Sequence, residues 1–213
     1  MIDSTSVRPT ASKSEIEGLC KEAVRYGFAC ACVNPVYVKL ASTLLRNTRV
    51  RVCSTVGFPF GTSLMEVKAL EALRAVEDGA KELDMVINLS LLKSRDYSTA
   101  KRDIAAVVDA RRLQRDIVIK VIIETDFLTD DEKVAACKLA KEAGADFVKT
   151  STGFFGRGAK AKDVRLMRKT LGPNMGVKAA GGIRTYADAM KMIKAGANRI
   201  GTSSAAAIVA EAH

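Results

Sequence analysis

Tryptophan, histidine and long apolar runs are scarce in this sequence. Its 213 residues include no Trp, four Pro and a single His, which is the last residue, His213. One terminal histidine argues against a histidine-based triad or a histidine metal site. No uninterrupted apolar run approaches the ~18 residues of a membrane span. The N-terminus has neither a basic segment nor an apolar one of the signal-peptide kind, so we expect a cytoplasmic protein with no membrane partner.

The cysteines lack the spacing of a metal or disulfide framework. There are five, an odd number, and no CxxC pair or Cys/His cluster occurs among them. This pattern predicts reduced thiols rather than disulfides or a zinc site. We expect no metal and no cofactor.

The net charge of the chain is strongly positive, but the basic residues are not concentrated in one segment. Lys and Arg number 34 against 24 Asp and Glu, a net charge of +10. A basic balance can indicate nucleic-acid binding. Here the basic residues are interleaved with acidic ones along helical segments, which favours a phosphorylated small-molecule partner and no nucleic acid. The alternative is a basic nucleic-acid-binding protein, and salt-sensitive oligonucleotide binding without enzyme activity would favour it.

Strand and helix patterns alternate along the whole chain. Four helical patterns end in a glycine that leads into an apolar strand, at Gly27, Gly79, Gly144 and Gly196. Capping-box spacing occurs at Ser12, Ser63 and Thr129, and an apolar helical stripe follows Ser63 at Leu64, Val67, Leu70, Leu73 and Val76. The predicted strands are 1–5, 28–33, 50–56, 82–88, 117–124, 146–151, 175–180 and 199–203.

This alternation predicts a parallel α/β sheet, either an open doubly wound sheet or a closed (β/α)8 TIM barrel. The barrel requires its first strand at the extreme N-terminus. We favour the barrel, as a single domain over 1–213, because the candidate chemistry follows the C-terminal ends of several strands.

Four predicted strands carry a charge where a buried parallel strand should be apolar: Asp84, Lys120, Lys149 and Lys178. Lys149 and Lys178 lie on consecutive strands, which are usually neighbours. Mutual repulsion and desolvation would lower their pKa values, and a neutral lysine can form a Schiff base with a carbonyl. Asp84 would balance the charge and move protons. The alternative is that these charges only pair with one another or reach solvent at strand ends.

Two loops near the end of the sequence have the composition of a phosphate site. Gly181 and Gly182 follow the next-to-last strand, and Ser203 and Ser204 follow the last one. These two loops of a barrel, with a helix N-terminus, commonly bind phosphate. Gly153 would add a further backbone contact.

Together these motifs resemble the 2-deoxyribose-5-phosphate aldolases, over essentially the whole chain and in the family's order. The matching stretches are 32–35 (CVNP), 55–59 (TVGFP), 82–88 (ELDMVIN), 120–125 (KVIIET), 147–154 (FVKTSTGF), 177–185 (VKAAGGIRT) and 199–204 (RIGTSS). Two departures are Ser4, where the family often has His, and Arg8, where it often has Lys.

The resemblance implies a metal-free class I aldolase on a (β/α)8 barrel. Lys149 would form the Schiff base, Lys178 would lower its pKa, and Asp84 with Lys120 would relay protons. Substrate and phosphate contacts would come from Asp3, Cys32, Thr150, Gly153, Gly181, Gly182, Ser203 and Ser204.

The implied reaction is reversible cleavage of 2-deoxy-D-ribose 5-phosphate to D-glyceraldehyde 3-phosphate and acetaldehyde, in deoxyribonucleotide catabolism. Another phosphorylated sugar or keto acid remains the alternative substrate, and a homodimer is the expected assembly.

Overall fold

Eight parallel strands close into a barrel in the computed structural model, which describes residues 1–212; His213 lies outside the described residues. The strands are β1 Ile2–Ser6, β2 Cys30–Val33, β3 Arg51–Val56, β4 Glu82–Val86, β5 Val118–Ile122, β6 Phe147–Lys149, β7 Gly176–Ala180 and β8 Arg199–Thr202. The first strand pairs in parallel with both β2 and β8, through Asp3↔Cys30 and Asp3↔Gly201. This pairing closes the sheet, so the barrel prediction is confirmed and the open sheet is wrong.

Helices follow the strands and cover the outside of the barrel. The α-helices are α1 Lys13–Tyr26, α2 Val38–Leu45, α3 Met65–Glu77, α4 Leu89–Lys93, α5 Tyr97–Val108, α6 Asp130–Glu142, α7 Ala161–Leu171, α8 Tyr186–Lys194 and α9 Ala205–Ala210. Short 3-10 turns lie at Pro35–Tyr37, Asp109–Arg112 and Thr125–Phe127. Within the described chain, no helix has both the length and the apolar character needed to cross a membrane.

Two of the three predicted capping boxes are confirmed and one is wrong. The hydroxyls of Ser12 and Thr129 each accept a hydrogen bond from the backbone amide three residues later. The glutamate side chain at that later position accepts a hydrogen bond from the backbone amide of the capping residue. At Ser63 no box forms, because the amides of Val67 and Lys68 both donate to the Leu64 carbonyl and the helix begins after Leu64.

The first part of the predicted apolar stripe of α3 faces outward. Leu64 is 72% exposed, Val67 51% and Leu70 55%. Farther along the stripe, Leu73 packs against the core and Val76 is buried, and the helix also buries Lys68 and two alanines. The sequence correctly predicted a helix here, but the stripe predicted only part of the face that the helix buries.

The apolar core lies mainly between the barrel and its helices. Side chains such as Leu83, Ile119 and Val177 are fully buried in this layer. Barrel interiors are usually filled by branched apolar residues. In this barrel the alternate positions of several strands carry charge instead, and these positions form the candidate site.

Candidate active site

Asp84 is the centre of a buried charged cluster inside the barrel. Its Oδ1 lies 2.8 Å from Nζ of Lys120 on the neighbouring strand. Its Oδ2 lies 2.8 Å from Nζ of Lys149 and 2.7 Å from Nζ of Lys178. The structure therefore brings together all four charged residues singled out in the sequence.

Three further charged residues complete the cluster. Asp3 Oδ2 lies 2.6 Å from Nζ of Lys178, and its Oδ1 lies 2.6 Å from Nη1 of Arg199. Glu82 Oε2 lies 2.6 Å from Nζ of Lys120. Sequence reasoning missed Glu82 and Arg199. The signal for Glu82 was present, because residues two apart on a strand share a face and Glu82 stands two before Asp84.

Electrostatics fixes the protonation of most of this cluster. Burial opposes the charged form of Asp84, but the three lysine ammoniums outweigh it and hold the pKa of Asp84 well below its usual range. Burial also opposes the charge on Lys120 and Lys178, yet the surrounding carboxylates raise the pKa of both lysines. The expected lowering of the Lys178 pKa is therefore wrong. The expectation gave more weight to repulsion by the neighbouring lysine than to Asp84, and it did not include the ion pair of Lys178 with Asp3.

Only one lysine of the cluster borders the principal cavity of the described residues. This cavity, of about 680 Å³, opens at the C-terminal ends of the strands, and Lys149 lines it. Lys149 is 3% exposed, whereas Lys120 and Lys178 are fully buried and do not border the cavity. The cluster thus presents a single amine to a ligand-sized space.

The loops predicted to bind phosphate line the same cavity. Gly153, Gly181, Gly182 and Ser203 all border it. Gly153, Gly181 and Gly182 have φ values of 88°, 91° and 74°, in the region that favours glycine. These backbone conformations let main-chain amides approach a bound anion closely. Arg184 also lines the cavity and adds positive charge that the sequence reasoning did not assign.

Four other predicted contacts do not line this cavity among residues 1–212: Asp3, Cys32, Thr150 and Ser204. Asp3 and Cys32 are fully buried inside the barrel. The Thr150 hydroxyl both donates to the carbonyl and accepts from the amide of Ala180, so it is used in joining β6 to β7. Ser204 is the residue that precedes α9, and its amide donates to Thr202 Oγ1 at 2.9 Å. Contact of these four residues with substrate stays a prediction.

Thiols and carboxylates come close enough in the barrel to be compared with metal ligands. Cys32, Cys53 and Asp84 place one donor atom each within 4.8 Å of the others. However, Lys120 Nζ lies 2.8 Å from Asp84 Oδ1 and 3.5 Å from Cys53 Sγ. The Lys120 ammonium already bonds two of these three atoms and would repel a cation, so this group of residues does not fit a metal site.

Fold and site together define a class of protein: a (β/α)8-barrel enzyme with its site at the C-terminal face of the barrel. The family model described as "DeoC/LacD family aldolase" matches residues 2–210. The chain belongs to this aldolase family.

Relatives of known name agree with this membership. The deoxyribose-phosphate aldolase of Thermococcus kodakarensis is 61% identical, over 98% of this chain and 93% of its own. The one from Caldanaerobacter subterraneus subsp. tengcongensis is 56% identical, over 99% of this chain and 91% of its own. The structure of the Aeropyrum pernix deoxyribose phosphate aldolase, described as tetrameric, superposes with a TM-score of 0.92 at 39% identity and covers 98% of this chain and 88% of that one.

Proposed function

We propose that the protein is a class I, Schiff-base aldolase. It reversibly cleaves 2-deoxy-D-ribose 5-phosphate to D-glyceraldehyde 3-phosphate and acetaldehyde. The names of the relatives support this substrate. The observation that carries the mechanism is Lys149, the one lysine of the cluster that reaches the cavity.

In this mechanism, the Lys149 amine attacks the aldehyde carbon of the open-chain sugar, and loss of water gives a protonated imine. The imine accepts the electron pair of the breaking carbon–carbon bond as the substrate hydroxyl loses its proton. This step releases glyceraldehyde 3-phosphate and leaves an enamine. Protonation of the enamine and hydrolysis then release acetaldehyde and free Lys149.

The cluster around Lys149 supplies the groups for these proton transfers. The Asp84 carboxylate lies 2.8 Å from the Lys149 amine and 2.7 Å from that of Lys178, so it is placed to orient the Lys149 amine and to relay a proton between the two. Lys178 is charged and bonds the same Asp84 oxygen, so it is placed to return protons. Lys120 holds the other Asp84 oxygen and orients the carboxylate.

The phosphate of the substrate is assigned to the side of the cavity formed by Gly153, Gly181, Gly182 and Ser203, where the glycine-rich backbone and Arg184 favour an anion. With the phosphate there, the aldehyde end of the sugar faces Lys149 across the same cavity. We extend the proposal to a role in deoxyribonucleotide catabolism, because the reaction turns a deoxyribose phosphate into a triose phosphate and a two-carbon aldehyde.

Borohydride trapping tests the Schiff base directly. Incubation with acetaldehyde and sodium borohydride should place an N-ethyl group on Lys149, located by peptide mass spectrometry. Lys149→Arg keeps the positive charge beside Asp84 but cannot form an imine, so it should gain no adduct at this position and show no cleavage. Adduct-free Lys149 in folded, active wild-type protein would refute the mechanism. Cleavage of another phosphosugar in preference to 2-deoxyribose 5-phosphate would refute the substrate.

A further inference from the structure

Glu124 is a buried acid at the end of β5 that the proposed mechanism does not use. It is 1% exposed, and its backbone has φ 51° and ψ 68°, a left-handed conformation that is unfavourable for a residue with a side chain. Strained residues of this kind persist where the surroundings require them and are concentrated at functional sites. Burying a carboxylate is also costly unless hydrogen bonds compensate it.

The side chain of Glu124 holds the loop that follows the candidate nucleophile. Its Oε2 accepts the backbone amide of Thr152 at 3.0 Å. Its other oxygen, Oε1, has no hydrogen-bond partner among the described residues. The Thr152 amide is therefore the contact that gives this buried carboxylate its position.

Thr152 connects Lys149 to the proposed phosphate loops. Thr152 and Gly153 both line the cavity, and the Thr152 hydroxyl accepts the amide of Phe154 at 3.1 Å. A Cβ built on Gly153 would lie 3.8 Å from Cα of Gly181. On the other side, a main-chain hydrogen bond joins the end of β5 to this segment, from the amide of Thr125 to the Thr150 carbonyl at 2.9 Å. The segment Thr150–Gly153 is thus held between β5 and the glycine loop after β7.

We propose that Glu124 is a positioning residue that sets the phosphate selectivity of the site, by fixing the Thr152 amide and with it the Thr150–Gly153 segment. The proposal rests on the proposed function for the identity of the substrate. Glu124 does not touch the substrate in this proposal.

The charges and hydrogen bonds around Glu124 agree with this positioning role. Burial raises the pKa of Glu124, while the hydrogen bonds from Thr152 and the charge of Lys149 act in the opposite direction. Asp126, the nearby acid on the same loop, adds to the increase. The Thr152 amide thus belongs to the few groups that favour the ionised form, which ties the charge of Glu124 to the position of the loop.

A selectivity measurement separates positioning from general damage to the fold. For each variant we would determine kcat/KM for 2-deoxyribose 5-phosphate and for unphosphorylated 2-deoxyribose. Glu124→Ala should reduce the ratio of the two about tenfold, the scale of one lost hydrogen bond to a charged group, chiefly through KM of the phosphorylated substrate. Glu124→Gln keeps an acceptor for the Thr152 amide and should retain most of the ratio.

Glu71→Ala is the matched control. Glu71 makes the same kind of contact elsewhere, because its Oε2 accepts a hydrogen bond at 2.6 Å from the backbone amide of Gly57 in the β3–α3 loop. Neither residue borders the cavity. This variant should leave the ratio unchanged. An unchanged ratio in Glu124→Ala, or an equal fall in both kcat/KM values, would overturn the inference.

Amide hydrogen exchange provides a readout that does not require activity. In Glu124→Ala, exchange should accelerate in the peptide containing Thr152 and Phe154 and remain as in wild type elsewhere. Unchanged exchange there would overturn the inference. Wild-type protein that cleaves neither sugar would refute the proposed function instead, and hydrogen exchange would then decide the inference by itself.

Discussion

Asp84 shows how one carboxylate organises the chemistry of its neighbours. Its two oxygens lie 2.7 to 2.8 Å from the Nζ atoms of three lysines, one each on β5, β6 and β7. Several buried like charges are tolerable in this barrel because Asp84, Asp3 and Glu82 lie among them. If the carboxylate were lost, three lysines would repel one another in a low-dielectric interior.

At this scale we predict that Asp84→Asn lowers kcat for deoxyribose phosphate cleavage about 100-fold or more, the usual contribution of a positioned proton-transfer group. Asp146→Asn is the control, because Asp146 pairs with Arg111 outside the cluster and away from the cavity. Steady-state kinetics on both variants checks this. A kcat for Asp84→Asn within a few-fold of wild type would show that Asp84 has no part in proton transfer.

The low pKa of Asp84 should make the stability of the protein depend on acid pH. Because folding depresses this pKa, the Asp84 carboxylate binds a proton more tightly in the unfolded chain than in the folded one. The stabilisation is complete above its ordinary pKa of 3.8 and is lost as the pH falls through the depressed value. Urea unfolding between neutral pH and pH about 2 should therefore show a shallower loss of stability in Asp84→Asn than in wild type. Parallel curves for the two proteins would contradict this.

At the scale of elements, α3 shows how a charged side chain can replace an apolar contact. Lys68 is fully buried, and its Nζ lies 2.7 Å from Asp103 on α5 and 3.0 Å from the carbonyl of Val86 at the end of β4. This lysine joins two helices and a strand, while Val67 and Leu70 of the same helix face outward. Breaking such a pair on one side leaves an uncompensated buried charge.

We predict that Asp103→Asn destabilises the protein by about 3–5 kcal/mol, because Lys68 remains buried without its counter-charge. Burial already lowers the pKa of Lys68, and loss of Asp103 lowers it further. The folded variant therefore binds fewer protons than the unfolded variant. Its stability should increase as the pH rises towards 10.5, the ordinary pKa of a lysine. The double variant Lys68→Met, Asp103→Leu should recover much of the loss. Denaturant unfolding across pH measures both effects, and a pH-independent loss would exclude Lys68 as its cause.

At the scale of the whole molecule, an apolar surface lies at the start of α3. Among the described residues it includes Phe60, Leu64, Val67 and Leu70, at the β3–α3 loop and on α3, and each is more than half exposed. An apolar patch of neighbouring residues on a folded protein commonly marks an interface. We therefore predict that the homodimer expected from the sequence buries this surface.

Sedimentation velocity tests this assembly. Wild type should sediment as a dimer, and the double variant Leu64→Lys, Leu70→Lys as a monomer. Leu113→Lys changes an exposed leucine beyond α5 and should leave the dimer intact. A monomeric wild type, or a dimer that survives the double substitution, would exclude this surface as the interface.

The sequence by itself determined the parallel α/β alternation and the charged centre of the site. Strand and helix patterns left an open sheet and a closed barrel as alternatives, and the charges carried by strands favoured the barrel and singled out Asp84, Lys120, Lys149 and Lys178. These signals are local, since a charge in an otherwise apolar strand can be recognised from the strand alone.

Only the tertiary structure decided which charges face one another and which face the cavity. Closure of β1 against β8 brings Asp3 to Lys178 and Arg199, across most of the chain length, and Asp3 together with Asp84 raises the pKa of Lys178. The same closure leaves Lys149 at the cavity, with Lys120 and Lys178 fully buried. Distances between side chains on different strands depend on barrel closure and register, and residue order along the chain does not contain them.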